Sequence, residues 1–396
     1  MGHEPSRGLQ SARPFTDEQP SHARSATPIS NTLTGNQAIV QAARRSGCDF
    51  LATPATAMTA PMLDDFPRTA GHADGRASQT TDAPEAIRRC LEVAATGATP
   101  LAATAGPTLT ACGELIGQAQ WAQLPIVIVH CQHLGPTPLA ATSSQRAAGV
   151  APRGAADHSA IPAGDTDVTR ARHLTPGSIP LPVLAATDAA SAYQLTHRAF
   201  DIAQRLRTPV ILLTSKDIAL TPQHVDPDKL DRTTTKGATD GPPARVEVAP
   251  ADPDAWPRDP ARLEAKLTSL QNKITHNQDF LELTLPDPDP DAETLLISYG
   301  LADQAARKAV TLIRAAAARV SHLTLYSLWP IPGRAIRRAL TPYVHRVLIP
   351  ELNTGLYAAE LVGIIKAVKI EPLPRFDGRL IDPQTIARQV THWPCG

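Results

Sequence analysis

The sequence predicts an α/β fold made of two open parallel-sheet domains, and three observations carry that expectation. The runs Pro125-Ile-Val-Ile-Val129 and Thr208-Pro-Val-Ile-Leu-Leu-Thr214 are apolar without alternation, the pattern of strands covered on both faces. Each such run is separated from the next by a stretch with helical spacing, and the alternation restarts at Thr294-Leu-Leu-Ile-Ser-Tyr-Gly300. Between the two blocks the composition turns to Pro, Asp, Thr and Lys, as in a linker. The expected layout is a disordered tail over 1–33 and a first domain over 34–220. A linker carrying a charged helix follows over 221–290, then a second domain over 291–396.

Taken in order, residues 35–47 show helical spacing, with Ala38, Ile39, Ala42 and Ala43 on one face and Gly47 as the stop. Residues 48–52 read as a short strand. Pro54 to Pro61 reads as a loop opening a helix near Ala57, and 67–81 as a Gly/Ser/Thr loop. Thr81 or Asp82 caps the next helix, with Pro84 just inside its start, where a missing N–H costs nothing. Leu101 to Thr104 is a strand that breaks at Ala105-Gly106-Pro107, and a small-residue helix runs from Leu109 to Ala122. The strand over 125–129 leads to a turn at Gly135-Pro136. Residues 143–178 read as irregular, and loops of that length are commonly functional. A strand at 182–184, an amphipathic helix over 188–206 and the strand at 208–214 close the first block. A charged helix is expected over 259–278 and a stiff spacer at Pro286-Asp-Pro-Asp-Pro290. The second block reads as a strand at 294–300, a helix over 302–318 and a strand at 323–325. A turn at Trp329-Pro330, a helix near 333–341, a strand at 346–349 and a helix near 355–367 follow.

Lys plus Arg and Asp plus Glu are both 38, so the net charge is zero, which argues against nucleic acid or an acidic membrane as a partner reached by bulk charge. No apolar run reaches spanning length, and the first residues lack the apolar core of a signal peptide. The five cysteines are scattered without a C-x-x-C pair, as expected of free, buried thiols in a cytoplasmic protein. No zinc or iron–sulfur ligand set stands out. In His130-Cys131-Gln132-His133, strand alternation puts Cys131 and His133 on one side and His130 on the other, so no metal is expected there.

Several short motifs recur in a fixed order. They are Gly35-Asn-Gln-Ala-Ile39, Gly47-Cys48, Pro54-Ala-Thr56 and Ala103-Thr-Ala-Gly-Pro107. Leu124-Pro-Ile-Val-Ile-Val129 then leads into Gln132, Gly135-Pro-Thr137, Thr142 and Gln145. Arg207-Thr-Pro-Val-Ile-Leu-Leu213, Ser298-Tyr-Gly300, Leu328-Trp-Pro-Ile-Pro332 and Glu351-Leu-Asn-Thr-Gly355 complete the set. On these motifs the chain resembles a divergent α subunit of the 2-oxoacid:ferredoxin oxidoreductases, of the 2-oxoglutarate or pyruvate synthase type. The resemblance implies a thiamine-diphosphate pyrimidine-binding-like domain followed by a transketolase C-terminal-like domain. It implies oxidative decarboxylation of a 2-oxoacid with CoA to acyl-CoA and CO2, with electrons passed to ferredoxin and activity only beside a β subunit. Thiamine diphosphate would be shared with that subunit, while Mg2+ and the iron–sulfur cluster would sit in the partner alone.

The resemblance also assigns residues. Thr56 would meet the substrate carboxylate or the cofactor edge, Gly106 and Pro107 the cofactor, and Gly135, Pro136 and Thr137 the substrate. The family places a Glu-Asp-Glu-Ile stretch at the helix start, where a carboxylate hydrogen-bonds the pyrimidine ring. Aligned without gaps from Gly106, those glutamates fall on Thr81 and Ala83, and only Asp82 agrees. Asp82 and Glu85 are therefore the candidate catalytic carboxylates, Glu85 if the helix start has slipped. His133 for the family's Arg and Pro138-Leu139 for Thr-Gly are further departures. Each residue also has a plain structural use: Thr56 and Asp82 as helix caps, Glu85 as a first-turn acid favoured by the helix dipole, and the Gly-Pro pairs as turns whose exposed amides would do the binding. Two alternatives follow from the departures: a catalytically silent α-like subunit with a structural or regulatory role, and a different thiamine-dependent lyase or decarboxylase.

Overall fold

The computed structural model describes residues 32–69, 75–133, 137–138, 160–161, 166–175, 179–233, 260–366 and 368–392. In the first block the elements are β1 (Thr32–Leu33), α1 (Gly35–Arg45), β2 (Phe50–Pro54), α2 (Ala60–Asp65), β3 (Arg76–Thr80), α3 (Ala83–Ala95), β4 (Pro100–Ala105), α4 (Gly113–Trp121) and β5 (Val127–Gln132). Next come β6 (Thr137–Pro138), β7 (Ala160–Ile161), α5 (Asp167–Arg170), β8 (Val183–Ala185), α6 (Ala189–Leu206), β9 (Val210–Ser215), α7 (Lys216–Leu220), β10 (Gln223–His224) and α8 (Pro227–Thr233). The remainder is α9 (Pro260–Thr275), α10 (Gln278–Leu281), β11 (Thr284–Asp287), β12 (Thr294–Tyr299), α11 (Ala302–Ala315), β13 (Ser321–Leu325), β14 (Ser327–Trp329), α12 (Gly333–Ala339), β15 (Arg346–Glu351), α13 (Leu356–Leu361), β16 (Lys369–Pro374) and α14 (Pro383–Thr391).

Two α/β sheets result. The first has the order β14-β8-β9-β5-β4-β2-β3, and the second β11-β13-β12-β15-β16. All pairs are parallel except one edge in each sheet: β14 runs antiparallel to β8, and β11 antiparallel to β13. The expected open parallel-sheet architecture is present in both, each with one antiparallel strand added at an edge.

The apolar strands explain the layering. In the first sheet Leu51, Leu101, Ala103, Val127, Val129 and Leu212 face one way and pack with α1 and α6 residues such as Ile39, Ala199 and Ile202. Ala52, Ala102, Ile128, Ile211 and Leu213 face the other way, against Ile87 and Cys90 of α3 and Ile116 of α4. Both clusters continue into the second sheet, through Leu296 and Leu348 on one side and Leu295, Ile297 and Val347 on the other. Capping follows the sequence signals. Thr34 and Gln37 form a capping box on α1, Asp188 caps α6, and Asp82 caps α3 with Pro84 in its first turn.

Four sequence expectations change. Residues 76–80, read as part of a loop, form the edge strand β3. Their mostly polar side chains hide the strand in sequence; parallel pairing to β2, the packing of Ala77 on the core and an Arg89 hydrogen bond to Ser78 hold it in place. Pro286 and Asp287, read as spacer, belong to β11, where an edge strand tolerates proline. The helix expected near Ala57 begins at Ala60, because Thr56 to Thr59 form a hydrogen-bonded turn first. Thr32 and Leu33, placed in the tail, pair with β10. Cys48, Cys90, Cys112 and Cys131 are free and buried, while Cys395 lies outside the described residues. Among the described residues no helix is long and apolar enough to cross a membrane.

Candidate active site

The parallel strands bring the carboxyl ends of β9, β5, β4, β2 and β3 to one edge of the first sheet, in that order. Just past those ends come Lys216, His133, Gly106, Ala55 with Thr56, and Thr81. Ligands of open α/β sheets bind outside this edge. At about 4.8 Å between strands, Gly106 and Thr56 head adjacent strands, and Thr81 stands roughly 5 Å further out. The expected site residues Thr56, Gly106, Asp82 and Glu85 thus share one edge. Gly135 and Pro136 lie outside the described residues, and of Thr137 only the backbone is described, paired with Ile161.

The corner between β3 and α3 holds both candidate carboxylates. Asp82 is spent as a cap: its Oδ1 accepts the Glu85 amide at 2.8 Å. Glu85 reaches back one turn along the surface. Its Oε2 accepts the Thr81 amide at 2.7 Å and the Thr81 hydroxyl, and its Oε1 accepts Arg89 Nη2. The Thr81 hydrogen bonds, seconded by Arg89, hold the Glu85 carboxyl down at about 2. A carboxylate is therefore delivered to Thr81, the position on which the gapless alignment puts the family's first glutamate.

Gly106 takes φ +70°, a conformation open to glycine, and a Cβ there would meet nothing within 4 Å. Its amide was expected to face a ligand. It instead donates to the Cys131 carbonyl at 3.1 Å, because the β4–β5 ladder runs one residue past the strand end. What Gly106 offers is open space. Thr56 also has local duties: its hydroxyl bonds the Thr59 hydroxyl at 2.8 Å and accepts the Thr59 amide, fixing the turn before α2.

The two faces of the edge differ. On the α1 side, Met58, Ala105, Cys131, Ala219 and Leu220 form an apolar plug, with Met58 Sδ 3.6 Å from Cys131 Sγ. Burial pushes the Cys131 thiol up to about 12, so it stays a neutral space-filler. On the α3 side, Thr104 Oγ1 bonds His130 Nδ1 at 2.8 Å, and His130 Nε2 bonds Asp167 Oδ2 at 3.1 Å, all three being buried. This chain secures α5 beneath the end of β5 and gives His130 a structural use. Sequence reading missed Asp167, because nothing in a 37-residue separation signals the pairing. Two residues further along that face, Gln132 is buried and its Nε2 has no hydrogen-bond partner. A buried donor left unpaired costs about 1–3 kcal/mol. Sequence reading placed Gln132 in the loop motif without assigning it a role.

In the second sheet, Glu351 and Asn353 are internal supports. Glu351 accepts the amides of Tyr357 at 3.0 Å and Ala358 at 2.7 Å and the Tyr299 hydroxyl at 3.1 Å, closing the start of α13. Burial nonetheless raises its pKa. Asn353 Oδ1 accepts Gly355 and Leu356 amides. Asp303 is fully buried and accepts Ser298 and Thr324 hydroxyls at 2.6 and 2.7 Å and Arg307 Nε at 2.5 Å. Burial alone would raise it, but His322, Arg307 and Ser298 hold it at about 2. Among the described residues no group of three or more His, Cys, Asp and Glu is placed to hold a metal ion.

The family model described as "Pyruvate flavodoxin/ferredoxin oxidoreductase, thiamine diP-bdg" matches residues 41–280. The chain is 24% identical to the 2-oxoglutarate synthase subunit KorA of Methanothermobacter marburgensis, over 90% of this chain and 97% of that one. It is 26% identical to the ketoisovalerate oxidoreductase subunit VorB of Methanothermobacter thermautotrophicus, over 90% of this chain and 96% of that one. In fold it is similar to the 2-oxoglutarate:ferredoxin oxidoreductase from Magnetococcus marinus, solved with 2-oxoglutarate, coenzyme A and succinyl-CoA bound. The TM-score is 0.71 at 18% identity, covering 91% of this chain and 64% of the solved one. With more than half of its length matched, the chain belongs to the thiamine-diphosphate-binding family of pyruvate flavodoxin/ferredoxin oxidoreductases.

Proposed function

We propose that this chain is the α subunit of a thiamine-diphosphate-dependent 2-oxoacid:ferredoxin oxidoreductase, completed by a β subunit. It would oxidatively decarboxylate a 2-oxoacid, 2-oxoglutarate or pyruvate, with CoA. The observation that carries the reading is the Glu85 carboxylate held against Thr81 at the carboxyl edge.

The residues present fit half of the cofactor. The open space at Gly106, the Glu85 carboxylate and the unpaired Gln132 amide suit a polar ring and its substrate. The diphosphate end with its Mg2+ would be held by the partner subunit, as the resemblance implies. When bound, the cofactor supplies a nucleophilic carbon and an electron sink for decarboxylation. This chain's part is to position and exclude water. Glu85, ionised through the physiological range, accepts a hydrogen bond from the ring side through or beside Thr81. The Met58–Cys131 plug keeps solvent from the opposite face.

A second reading, a silent α-like subunit, is favoured by the saturation of Glu85: one oxygen serves Thr81 and the other Arg89. Co-expression with a β-type partner, loading with thiamine diphosphate and Mg2+, and assay of 2-oxoacid-dependent viologen reduction separate the two. Turnover of any 2-oxoacid supports the enzyme. An intact, loaded complex that reduces no dye with any 2-oxoacid defeats it.

A further inference from the structure

We infer that Gln132 is a substrate-positioning residue whose side-chain amide donates to an oxygen of the bound 2-oxoacid. The inference rests on the activity proposed above and extends it to a residue with no assigned role. Gln132 is 4% exposed, yet its Nε2 lacks any hydrogen-bond partner. Buried amides of folded proteins are nearly always paired, and an exception calls for an absent group. On the same face Thr104, His130 and Asp167 Oδ2 are linked in a chain, while Asp167 Oδ1, which lies 3.6 Å from Arg170 Nη1, makes no hydrogen bond. Gln132 is two residues beyond His130 on the same face, at the very end of β5, beside the open space left by Gly106 on β4.

The chemistry narrows the ligand. Nε2 is a donor and asks for an acceptor. The carboxylate and keto oxygens of a 2-oxoacid are acceptors without donors. The alternative side of the edge is closed by Met58 and Cys131, so the unpaired donor and the free volume lie together on the α3 face.

The test compares wild type, Gln132→Met and Gln132→Glu in the complex with the β subunit. Met keeps the shape and removes the donor, and Glu replaces the donor with a charge that repels the substrate. The KM for 2-oxoglutarate, or for whichever 2-oxoacid turns over best, should rise about tenfold in Q132M, the worth of one neutral hydrogen bond, and further in Q132E. The change in kcat should be smaller than the change in KM, and the apparent affinity for thiamine diphosphate should not change. Removal of an unpaired buried amide should also raise the thermal midpoint of the ligand-free full chain by about 2 °C or more. An unchanged KM in Q132M, a loss of cofactor affinity in place of substrate affinity, or a lowered midpoint overturns the assignment. A wild-type complex without any turnover defeats the activity itself. The Gln132 assignment is then decided by calorimetric titration of 2-oxoglutarate into the same complexes, where absent binding or equal affinity of wild type and Q132M overturns it.

Discussion

Glu85 bends one helical turn back, so that its Oε2 accepts the Thr81 amide at 2.7 Å and the Thr81 hydroxyl with it. This contact moves a carboxylate to a place the sequence leaves empty, and it gives the first prediction. In the complete complex Glu85→Gln should lower kcat by about 100-fold or more, the usual cost of losing a positioned proton-accepting group. Asp82→Asn should lower it little, since an Asn caps nearly as well. Thr81→Glu in the Glu85→Gln background should restore part of the rate. Equal rates for wild type and Glu85→Gln in steady-state dye reduction would show that Glu85 is only a helix-end brace.

Asp303 is the anchor of the second sheet's buried polar network. Asp303→Asn should cost about 2–3 kcal/mol, at the low end for a broken buried pair because Arg307 keeps partial access to water. Its pKa in the folded chain, about 2, lies below the usual unfolded value near 3.9. Its stabilisation is therefore complete above the unfolded value and fades as pH falls from about 4 toward 2, by an amount on the order of 2 kcal/mol. Urea unfolding of both proteins at pH 6 and pH 3 checks this, and a stability gap that widens on acidification is incompatible with it.

Trp329 joins the second block to the segment behind the site. Its Nε1 donates to the Val168 carbonyl at 2.6 Å, and the Arg172 guanidinium lies 4.7 Å from its ring centroid. Trp329→Phe removes the donor and leaves that carbonyl buried, a loss of about 1–3 kcal/mol. Hydrogen exchange should accelerate over residues 166–175 ahead of the rest of the chain. Exchange that rises uniformly, or not at all, would mean the contact holds nothing in place.

Gly106→Ala meets no steric neighbour but must hold φ at +70°, a strain of roughly 1 kcal/mol. A fall of a few degrees in thermal midpoint is the expected structural cost. If the open space there receives the cofactor ring, apparent affinity for thiamine diphosphate should fall about tenfold in addition. A lower midpoint with unaltered affinity would remove Gly106 from the binding surface.

Most of the layering was legible because it depends on local signals. Asp188 before an amphipathic run, Pro84 after Asp82, and the unbroken Val210 to Leu213 each report their element within a few residues. What escaped depends on partners distant in sequence. Arg76 to Thr80 carries no apolar pattern, and its strand is set by pairing to β2, a partner some 26 residues earlier. The site divides in the same way. The edge holding Thr56, Asp82, Glu85 and Gly106 followed from motif order, whereas the hydrogen bonds that occupy them did not. Gly106's amide is consumed by Cys131 and Thr56's hydroxyl by Thr59, contacts set by ladder length and turn geometry. Asp167 and the unpaired Gln132 amide became visible only once the strands were side by side.

The strand Ser327–Trp329 leaves the second sheet's neighbourhood to lie against β8 at the rim of the first. Cut from the polypeptide that supplies this strand, residues 32–280 would present Val183 to Ala185 as a bare ribbon, ready to recruit a foreign chain. Attempts to express the amino-terminal half by itself should therefore yield aggregates, and adding the missing carboxyl-terminal fragment in trans should rescue solubility. The two halves of the polypeptide are thereby made to depend on each other for a complete sheet.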